Sequence, residues 1–442
     1  PKPCKWFCGR TNELEELHTL MQQDGKVFLS GIAGIGKSEL AKAYAAQYQK
    51  DYTNVLYIFH SGDLVHDITD IDFVGDLDTD SPQERFHKHN RFLRILKEDT
   101  LIIIDNFNSS ETKDPFLSEI LTYRCHILFT TRSKIDDHTS YLLGEIRDSN
   151  DLFALFSNFY TDAQDHHSSV EQIINAVHGH TFAVELAARL LAHGILSPDA
   201  LLHKLQTEKA SMNASDQIGV NKDGRKQKAT YYEHIHTLFS LYQLSELELH
   251  TLRVLSLIPL TGISSQRFAE WMGQSNMNTI NELIELGFVQ EKTERIIALH
   301  PLMQEVVVAE TKPSVSNCKP LLEHFQKICL HPGLDISYYK VFFQTIENTT
   351  AILIQDDDAF FLRLMEDAIP YMEKYHYASG FLCLLQKMEQ ILSDVNFGKD
   401  TDRDLLFDLK AFYEDTFHGS SEKAIELDKK ALTFLSEITM QN

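Results

Sequence analysis

The sequence predicts a multidomain protein that joins an α/β domain, built on a parallel sheet, to several α-helical domains. Three observations lead to this prediction. The turn GIAGIGKS at 31–38 lies between a short apolar run and a helical stretch. Short β-branched runs alternate with helical stretches from 26 to about 145, as in a parallel sheet covered by helices. From 149 onward the apolar spacing is mainly helical.

Residues 1–148 are predicted to form the α/β domain. Strands are predicted at the apolar runs KVFLS, NVLYIFH, TLIIIDNF and CHILFTTR, and helices at SELAKAYAAQYQ and PQERFHKHNRFLRILKE. The acidic stretch at 63–80 has no clean period, which predicts an exposed and mobile loop. The chain has 442 residues, which is enough for about three domains.

Residues 149–230 are predicted to form a small helical domain followed by a linker. Helical spacing runs through DLFALFSNFY, VEQIINAVHGHTFAVELAARLLAHG and PDALLHKLQ, and Ser197 is the expected N-cap of the last. The polar stretch at 208–230 has almost no large apolar residues, so it is predicted to be a linker or flexible loop.

Residues 231–312 show the element order of a winged-helix domain. Short helices are followed by two brief strands, GFVQEK and RIIAL, which a tight turn at Thr293 and Glu294 is predicted to join. Winged helices often read DNA, but residues 240–310 contain four Lys or Arg against nine Asp or Glu. This balance has the wrong sign for phosphate contacts and favours an internal lever.

Residues 313–442 are predicted to form stacked α-helical hairpins. The segment HGSSEKAIELDKKAL resembles a tetratricopeptide (TPR) repeat, with small residues where its two helices cross; these are Gly419, Ala424 and Ala431. The earlier stretch SGFLCLLQKMEQIL keeps the same register with the larger Phe381 and Met388. Such repeats need about three neighbours to bury a continuous core.

Composition narrows the classes of function. The net charge is −23, from 64 acidic and 41 basic residues, so general binding to nucleic acid is not expected. No run of about 18 apolar residues predicts a membrane span, and the segment PKPCKWFCGR lacks the apolar core of a signal peptide. These features predict a cytoplasmic location, and the scattered cysteines fit reduced thiols.

The turn GIAGIGKS matches the phosphate-binding pattern G-x-x-x-x-G-K-[ST] at Gly31, Gly36, Lys37 and Ser38. Glycines let backbone N–H groups approach phosphate oxygens. Lys37 would supply positive charge at the terminal phosphates, and Ser38 would offer a hydroxyl to Mg²⁺. A glycine-rich turn beside an unrelated lysine is the alternative, but the flanking strand and helix favour the phosphate site.

Two later strands end in polar residues that suit the same site. Asp105 closes LIIID and is the expected partner of Mg²⁺, although a turn-forming role is the alternative. Asn106 follows where many hydrolases carry an acid, and an amide cannot accept the proton of an attacking water. Arg132 closes HILFTTR, where it could contact a γ-phosphate or simply lie on the surface.

Five ordered motifs, FCGRTNEL, GIAGIGKS, LIIIDNF, FTTR and LHPLMQEVV, resemble the NB-ARC branch of the STAND signalling ATPases over about residues 1–310. The resemblance implies bound ADP or ATP with Mg²⁺. It also implies base and ribose contacts, phosphate contacts, and a histidine at the β-phosphate of ADP. The implied residues are Phe7, Cys8, Gly9 and Arg10 for base and ribose, Gly34, Ile35, Gly36, Lys37, Ser38 and Glu39 for the phosphates, and His300. Thr181 stands where relatives carry an adenine-packing proline.

The resemblance implies a switch that is closed and monomeric with ADP, and that opens and forms homo-oligomers when a trigger binds and ATP replaces ADP. A trigger protein or other ligand is expected at the C-terminal helices and an effector domain or partner at the N-terminus. Bacterial relatives act in antiviral defence and in transcription control. Because the motifs begin within ten residues of the start, the chain is expected to be a fragment or to act through a partner.

Two alternatives come from other classes of function. One is an ATPase with steady turnover, against which Asn106 argues, so that slow hydrolysis by Lys37, Asp105, Asn106 and Arg132 is the most we expect. The other is a protein-interaction scaffold in which the nucleotide site only stabilises the fold. Nucleotide binding that can be abolished without loss of signalling would favour the scaffold.

Overall fold

In the computed structural model, two compact units are described. The first comprises Pro1–Gln243, Glu285–Phe288 and His300–Val306, and the second Leu244–Ile284, Val289–Leu299 and Val307–Asn442. The described residues are 1–77, 80–108, 114–132, 135, 138–215, 225–274, 276–292, 295–331, 336, 338–375, 385, 405–412, 425–427 and 429.

The first unit is built on a parallel sheet with the strand order β2-β3-β4-β1-β5. Its strands are β1 (Lys26–Ser30), β2 (Asn54–Phe59), β3 (Thr100–Asp105), β4 (His126–Thr131) and β5 (Ser140–Leu142). The helices of this unit are α1 (Thr11–Asp24), α2 (Lys37–Gln47), α3 (Leu64–Thr69), α4 (Pro82–Ile95), α5 (Leu117–Ile120), α6 (Ser149–Ser157), α7 (His167–Ala176), α8 (Thr181–Ala192), α9 (Pro198–Ser215) and α10 (Arg225–Leu241).

The sheet is buried on both faces, which is why β3 and β4 read as continuous apolar runs. One core packs α1 and α2 against the sheet, and a second packs α3 to α5 against the other face. The predicted fold class is confirmed: a parallel P-loop sheet, with the glycine-rich turn between β1 and α2, followed by a helical C-terminal region. The short edge strand β5 was not predicted.

The prediction of an exposed loop at 63–80 was wrong over α3. Asp63 caps this helix by accepting a hydrogen bond from the His66 N–H, at 3.0 Å. Leu64 and Ile68 are buried on one face of the helix. The buried Asp67 carboxylate accepts from the Ser61 side chain, so the acidic composition concealed a capped, partly buried helix.

The helical stretch at 170–194 is two helices, α7 and α8, separated by a turn in which His178 and Gly179 have φ of +54° and +64°. Helix α9 follows Ser197 as predicted, and the Ser197 hydroxyl accepts from the Ala200 N–H at 3.3 Å. The linker prediction was wrong at 208–215 and 225–230, which lie in α9 and α10; residues 216–224 lie outside the described ranges.

The elements of the remaining chain are α11 (Glu246–Leu255), β6 (Ile263–Ser264), α12 (Ser265–Trp271), α13 (Asn278–Glu285), β7 (Val289–Glu291), β8 (Ile296–Leu299), α14 (Pro301–Thr311), α15 (Lys319–Cys329), α16 (Tyr339–Leu353) and α17 (Asp358–Lys374). The three strands form an antiparallel sheet in the order β6-β8-β7. The predicted order of helices followed by two strands is therefore present.

Several predictions fall on residues outside the described ranges. These are the turn at Thr293 and Glu294, and the repeat residues Phe381, Met388, Gly419, Ala424 and Ala431. The division into four domains stays a prediction. Among the described residues, no helix is both long and apolar enough to cross a membrane.

Candidate functional site

The turn between β1 and α2 has the backbone that a phosphate loop requires. Gly34 and Gly36 have φ of +76° and +100°, in the left-handed region that favours glycine, and Gly36 is the N-cap of α2. A Cβ atom at Gly34 would lie 2.7 Å from Cε1 of His180 and 3.0 Å from Cε1 of His300. The loop therefore has close side-chain neighbours from two distant parts of the chain.

Side chains bind five successive carbonyl oxygens of this loop, from residue 31 to residue 35. The hydrogen bonds run from Lys37 Nζ to Gly31 (2.8 Å) and Ile32 (2.6 Å), from His180 Nε2 to Ala33 (2.9 Å), from Thr181 Oγ1 to Gly34 (2.6 Å) and from Arg10 Nη2 to Ile35 (3.1 Å). Because C=O and N–H point in opposite directions across a planar peptide, fixing the carbonyls also fixes the direction of the N–H groups. The side chains thus preorganise the loop.

Lys37 is a buried cation with neutral partners. Its side chain lies at the start of α2 and the residue is 9% exposed. Burial lowers the pKa of the Lys37 ammonium to about 8, with a further contribution from the positive charge of Arg132, and Asp105 opposes the shift. A bound phosphate would supply the negative partner that the carbonyl groups do not.

The Asp105 carboxylate lies at the end of β3, beside the loop, and is 5% exposed. It accepts three hydroxyl hydrogen bonds, from Ser38 Oγ (2.7 Å), Thr130 Oγ1 (2.5 Å) and Tyr57 OH (2.5 Å). Tyr57 was not predicted, since a tyrosine in an apolar strand carries no signal of its own.

The oxygens of Ser38 and Asp105 fit Mg²⁺, which binds few protein ligands and keeps water or phosphate oxygens for the rest. Among the described residues, no group of three or more His, Cys, Asp or Glu side chains could hold a metal ion. A metal at this site would therefore rely on the hydroxyl and carboxylate named here together with phosphate oxygens.

The ends of β3 and β4 are linked by polar contacts. The Asn106 N–H donates to Thr130 Oγ1 at 2.8 Å, and Asn106 has φ of +67°. Asn108 Nδ2 donates to Asn106 Oδ1 at 2.7 Å, and the Arg132 N–H donates to Asn108 Oδ1 at 2.8 Å. The contacts hold the Asn106 amide in place and bring Arg132 close to it, and Asn108 is a member of the site that was not predicted.

His300 lies against the loop within the first unit, at the N-terminus of α14. Its Nδ1 accepts the Leu302 N–H at 3.2 Å, so the ring proton is on Nε2. The ring stacks on Phe182, with centroids 3.9 Å apart. Burial, followed by the charges of His180, Lys37 and Arg132, lowers the pKa of His300 well below its usual value, so the ring is a neutral donor at pH 7.

His180 is a further member of the site that was not predicted. It is fully buried, its Nε2–H binds the Ala33 carbonyl, and its Nδ1 accepts the Ala183 N–H at the start of α8. Burial lowers the pKa of His180 to about 4. The signal was present, because a polar side chain directly before a helical stretch is typical of an N-cap.

The N-terminal motif lies beside the loop. Arg10 is 6% exposed and has φ of +67°. Cys8 Sγ lies 3.7 Å from the Asp151 carbonyl oxygen, and Phe7 packs on the core beneath α1 and α2. Glu39 accepts from the Cys4 N–H (2.5 Å) and from Lys42 Nζ (2.7 Å). The predicted roles of these residues in nucleotide binding stay predictions.

No protein-family model matches the chain, and no curated protein matches it. Among solved structures, it is similar to a signal transduction ATPase with numerous domains (STAND) that carries a tetratricopeptide repeat sensor, from Pyrococcus horikoshii. The identity is 15% and the TM-score 0.49, and the match covers 99% of this chain and 66% of that one. A Walker-type ATPase of Pyrococcus abyssi matches with 12% identity, a TM-score of 0.33 and coverage of 70% and 98%.

Proposed function

We propose that the chain is a nucleotide-operated switch of the STAND type that binds ADP or ATP with Mg²⁺. The observation that carries the proposal is the set of five bound loop carbonyls together with His300 at Gly34. Residues from the N-terminal motif, from α8 and from the start of α14 all meet one phosphate loop. Phosphate binding at this loop is therefore coupled to segments that are far apart in the sequence.

Different residues of the proposed site bind different parts of the nucleotide. The loop N–H groups, the N-terminus of α2 and the Lys37 ammonium bind the phosphates. Ser38 and Asp105 hold Mg²⁺ in the proposal, and the metal would neutralise phosphate charge. Phe7, Cys8, Gly9 and Thr181 are the proposed neighbours of the base and ribose.

His300 makes the closed form favour ADP in this proposal. Its ring, which carries the Nε2–H donor, lies beside Gly34 of the phosphate loop, and the N-terminus of α14 would add positive potential near a β-phosphate. Loss of this contact on exchange for ATP would release the segment 300–306. Shifting a two-state equilibrium from 1:99 to 99:1 takes about 5.5 kcal/mol, so a trigger at the C-terminal helices would supply part of the energy.

The proposed open form self-associates and brings effector domains or partners together. Hydrolysis is slow in the proposal, because Asn106 can orient a water molecule but cannot accept its proton. A rate well above about one per second without partners would instead favour an ATPase with steady turnover.

The first experiment is to denature the purified chain and to quantify the released nucleotide against protein. We expect close to one ADP per chain, and much less after Lys37→Ala. Lys42→Ala is the matched control, since Lys42 lies on the same helix and pairs with Glu39 at 2.7 Å. An empty wild-type protein that also fails to bind added ADP or ATP would overturn the proposal and favour the scaffold.

A further inference from the structure

We propose that Glu305 makes the closed form discriminate against ATP, by competing with a third phosphate for Arg132. The inference rests on the nucleotide switch proposed above and assigns its ADP/ATP selectivity to one carboxylate. The observation behind it is an ion pair between Arg132 Nη1 and Glu305 Oε1 at 3.6 Å, in which both side chains are about two-fifths exposed, at 38% and 39%.

Arg132 lies where a terminal phosphate would meet it. It follows β4 directly, and its backbone N–H is held by Asn108 beside Asn106. Asn106 follows Asp105, whose carboxylate accepts from Ser38 at the end of the loop, so these contacts place Arg132 beside the phosphate site. Its positive charge also contributes to lowering the pKa of Lys37. Glu305 contacts the guanidinium through Nη1, so a γ-phosphate that bound Arg132 in a bidentate manner through this nitrogen would compete with Glu305 for it.

Helix α14 has positive potential at its N-terminus and a negatively charged side chain in its second turn. At its N-terminus, the His300 donor and the helix dipole favour the phosphates of ADP. Five residues later, Glu305 places a negative charge beside Arg132. A third phosphate that bound Arg132 would separate it from the Glu305 carboxylate and bring additional negative charge toward that carboxylate.

The consequence is that the closed form would bind ATP less favourably than ADP. ADP leaves the Arg132–Glu305 pair intact, whereas ATP gains Arg132 only by separating it from Glu305. The separation would loosen the first turns of α14, which belong to the segment 300–306 of the first unit. Glu305 is thus a specificity-determining residue that links the number of phosphates to the position of this segment.

The test is the ratio of dissociation constants for a non-hydrolysable ATP analogue and for ADP, measured by calorimetry with Mg²⁺. We expect Glu305→Gln to lower this ratio roughly three- to fivefold, mainly by tightening binding of the ATP analogue, since a partly exposed pair contributes at most about 1 kcal/mol. Glu310→Gln is the matched control on the same helix, and its ratio should stay within about twofold of wild type.

A double-variant cycle separates competition for Arg132 from a general change of charge. In an Arg132→Gln background, Glu305→Gln should no longer alter the ratio. A wild-type ratio for Glu305→Gln, or an equal effect with and without Arg132, would overturn this inference while leaving the switch intact. Failure of the folded wild-type chain to bind either nucleotide would instead overturn the switch and this inference together.

Discussion

The two ends of the parallel sheet are both polar, yet they are built differently. At the carboxyl ends of the strands, Lys37 and Asp105 are nearly buried around a loop with left-handed glycines. At the amino ends there is a polar cavity of about 520 Å³, lined in part by Lys26, Glu98 and Arg124. Glu98 and Arg124 are exposed to solvent there.

The difference shows that a polar cavity does not by itself indicate a ligand-binding site. Charged groups near solvent, such as Glu98 and Arg124, are satisfied by water and by weak pairing. A buried ammonium on neutral carbonyl groups has only partial compensation, from the charge of Asp105, and a phosphate would add to it. The carboxyl end also has the start of α2, whereas the cavity is lined by the end of α1 and the beginnings of strands.

The sharpest test of this difference is Lys37→Ala. Removing a buried charged partner costs about 2–5 kcal/mol of binding free energy, so we expect ADP affinity to fall roughly 30- to 5,000-fold. Arg124→Ala at the opposite end should leave the affinity within about twofold. Calorimetric titration with ADP and Mg²⁺ measures both, and similar losses for the two variants would remove the distinction between the ends.

Acid should destabilise the carboxyl end more than the amino end. The pKa of His180 is about 4 in the folded chain and about 6.5 when unfolded, so the unfolded chain binds more protons between these values. Stability is therefore complete above about pH 6.5 and falls as the pH drops toward 4, by up to about 3 kcal/mol.

The measurement is the free energy of unfolding in urea at pH 7.5 and pH 5 for wild type, His180→Gln and His126→Gln. Burial, followed by the positive charge of Lys26, also lowers the pKa of His126 at the amino end, but this shift is smaller than that of His180. We expect His180→Gln to flatten the pH dependence more than His126→Gln does. Equal slopes for all three proteins would contradict the assignment.

Gly34→Ala tests the packing of the two histidines on the loop. The added Cβ would approach both rings while φ stays at +76°, so we expect a loss of about 1–3 kcal/mol of stability. Gly194→Ala is the control, because Gly194 has φ of +67° but a Cβ added there would meet no atom within 4 Å. Thermal melting of both variants separates steric contact from backbone strain. Equal melting temperatures would mean that contact adds nothing.

The smallest expected effect is that of Tyr57→Phe, which removes one of the three hydroxyl groups on Asp105. The ring would keep its packing, so a loss of about 1 kcal/mol is expected, or roughly fivefold in the Mg²⁺ concentration needed to retain ADP. Tyr52→Phe is the matched control, as its hydroxyl bonds to Tyr44 (2.8 Å) and to His126 (3.1 Å). An identical Mg²⁺ dependence for all three proteins would separate Tyr57 from metal binding.

The sequence predicted those parts of the molecule whose signals are local. The glycine pattern between a strand and a helix located the loop, and continuous apolar runs located β1, β3 and β4. Asp105 was predicted because it ends such a run. The two brief strands predicted at GFVQEK and RIIAL are present as β7 and β8, whereas β6 was not predicted.

The rest depends on which elements pack together. Tyr57 reaches Asp105 because β2 pairs with β3 in a register that puts Tyr57 opposite Ile103, two residues before that carboxylate. Glu305 meets Arg132 only because α14 begins beside the loop. Neither the register of two strands nor the packing of a helix can be predicted from the sequence of one element alone. The prediction of a loop at 63–80 was wrong over α3 for another reason. It gave more weight to the acidic composition of the stretch than to the N-cap Asp63 and the two buried apolar residues, Leu64 and Ile68.

The bound carbonyls of the phosphate loop have a consequence for the timing of the proposed switch. Side chains hold the loop carbonyls from residue 31 to residue 35, so we expect the loop to keep its shape when a nucleotide leaves. A nucleotide would leave and be replaced without the loop having to unfold and reform, so little ordering entropy opposes recapture. The time that the proposed switch spends in one state would then be set by the residence time of the bound nucleotide.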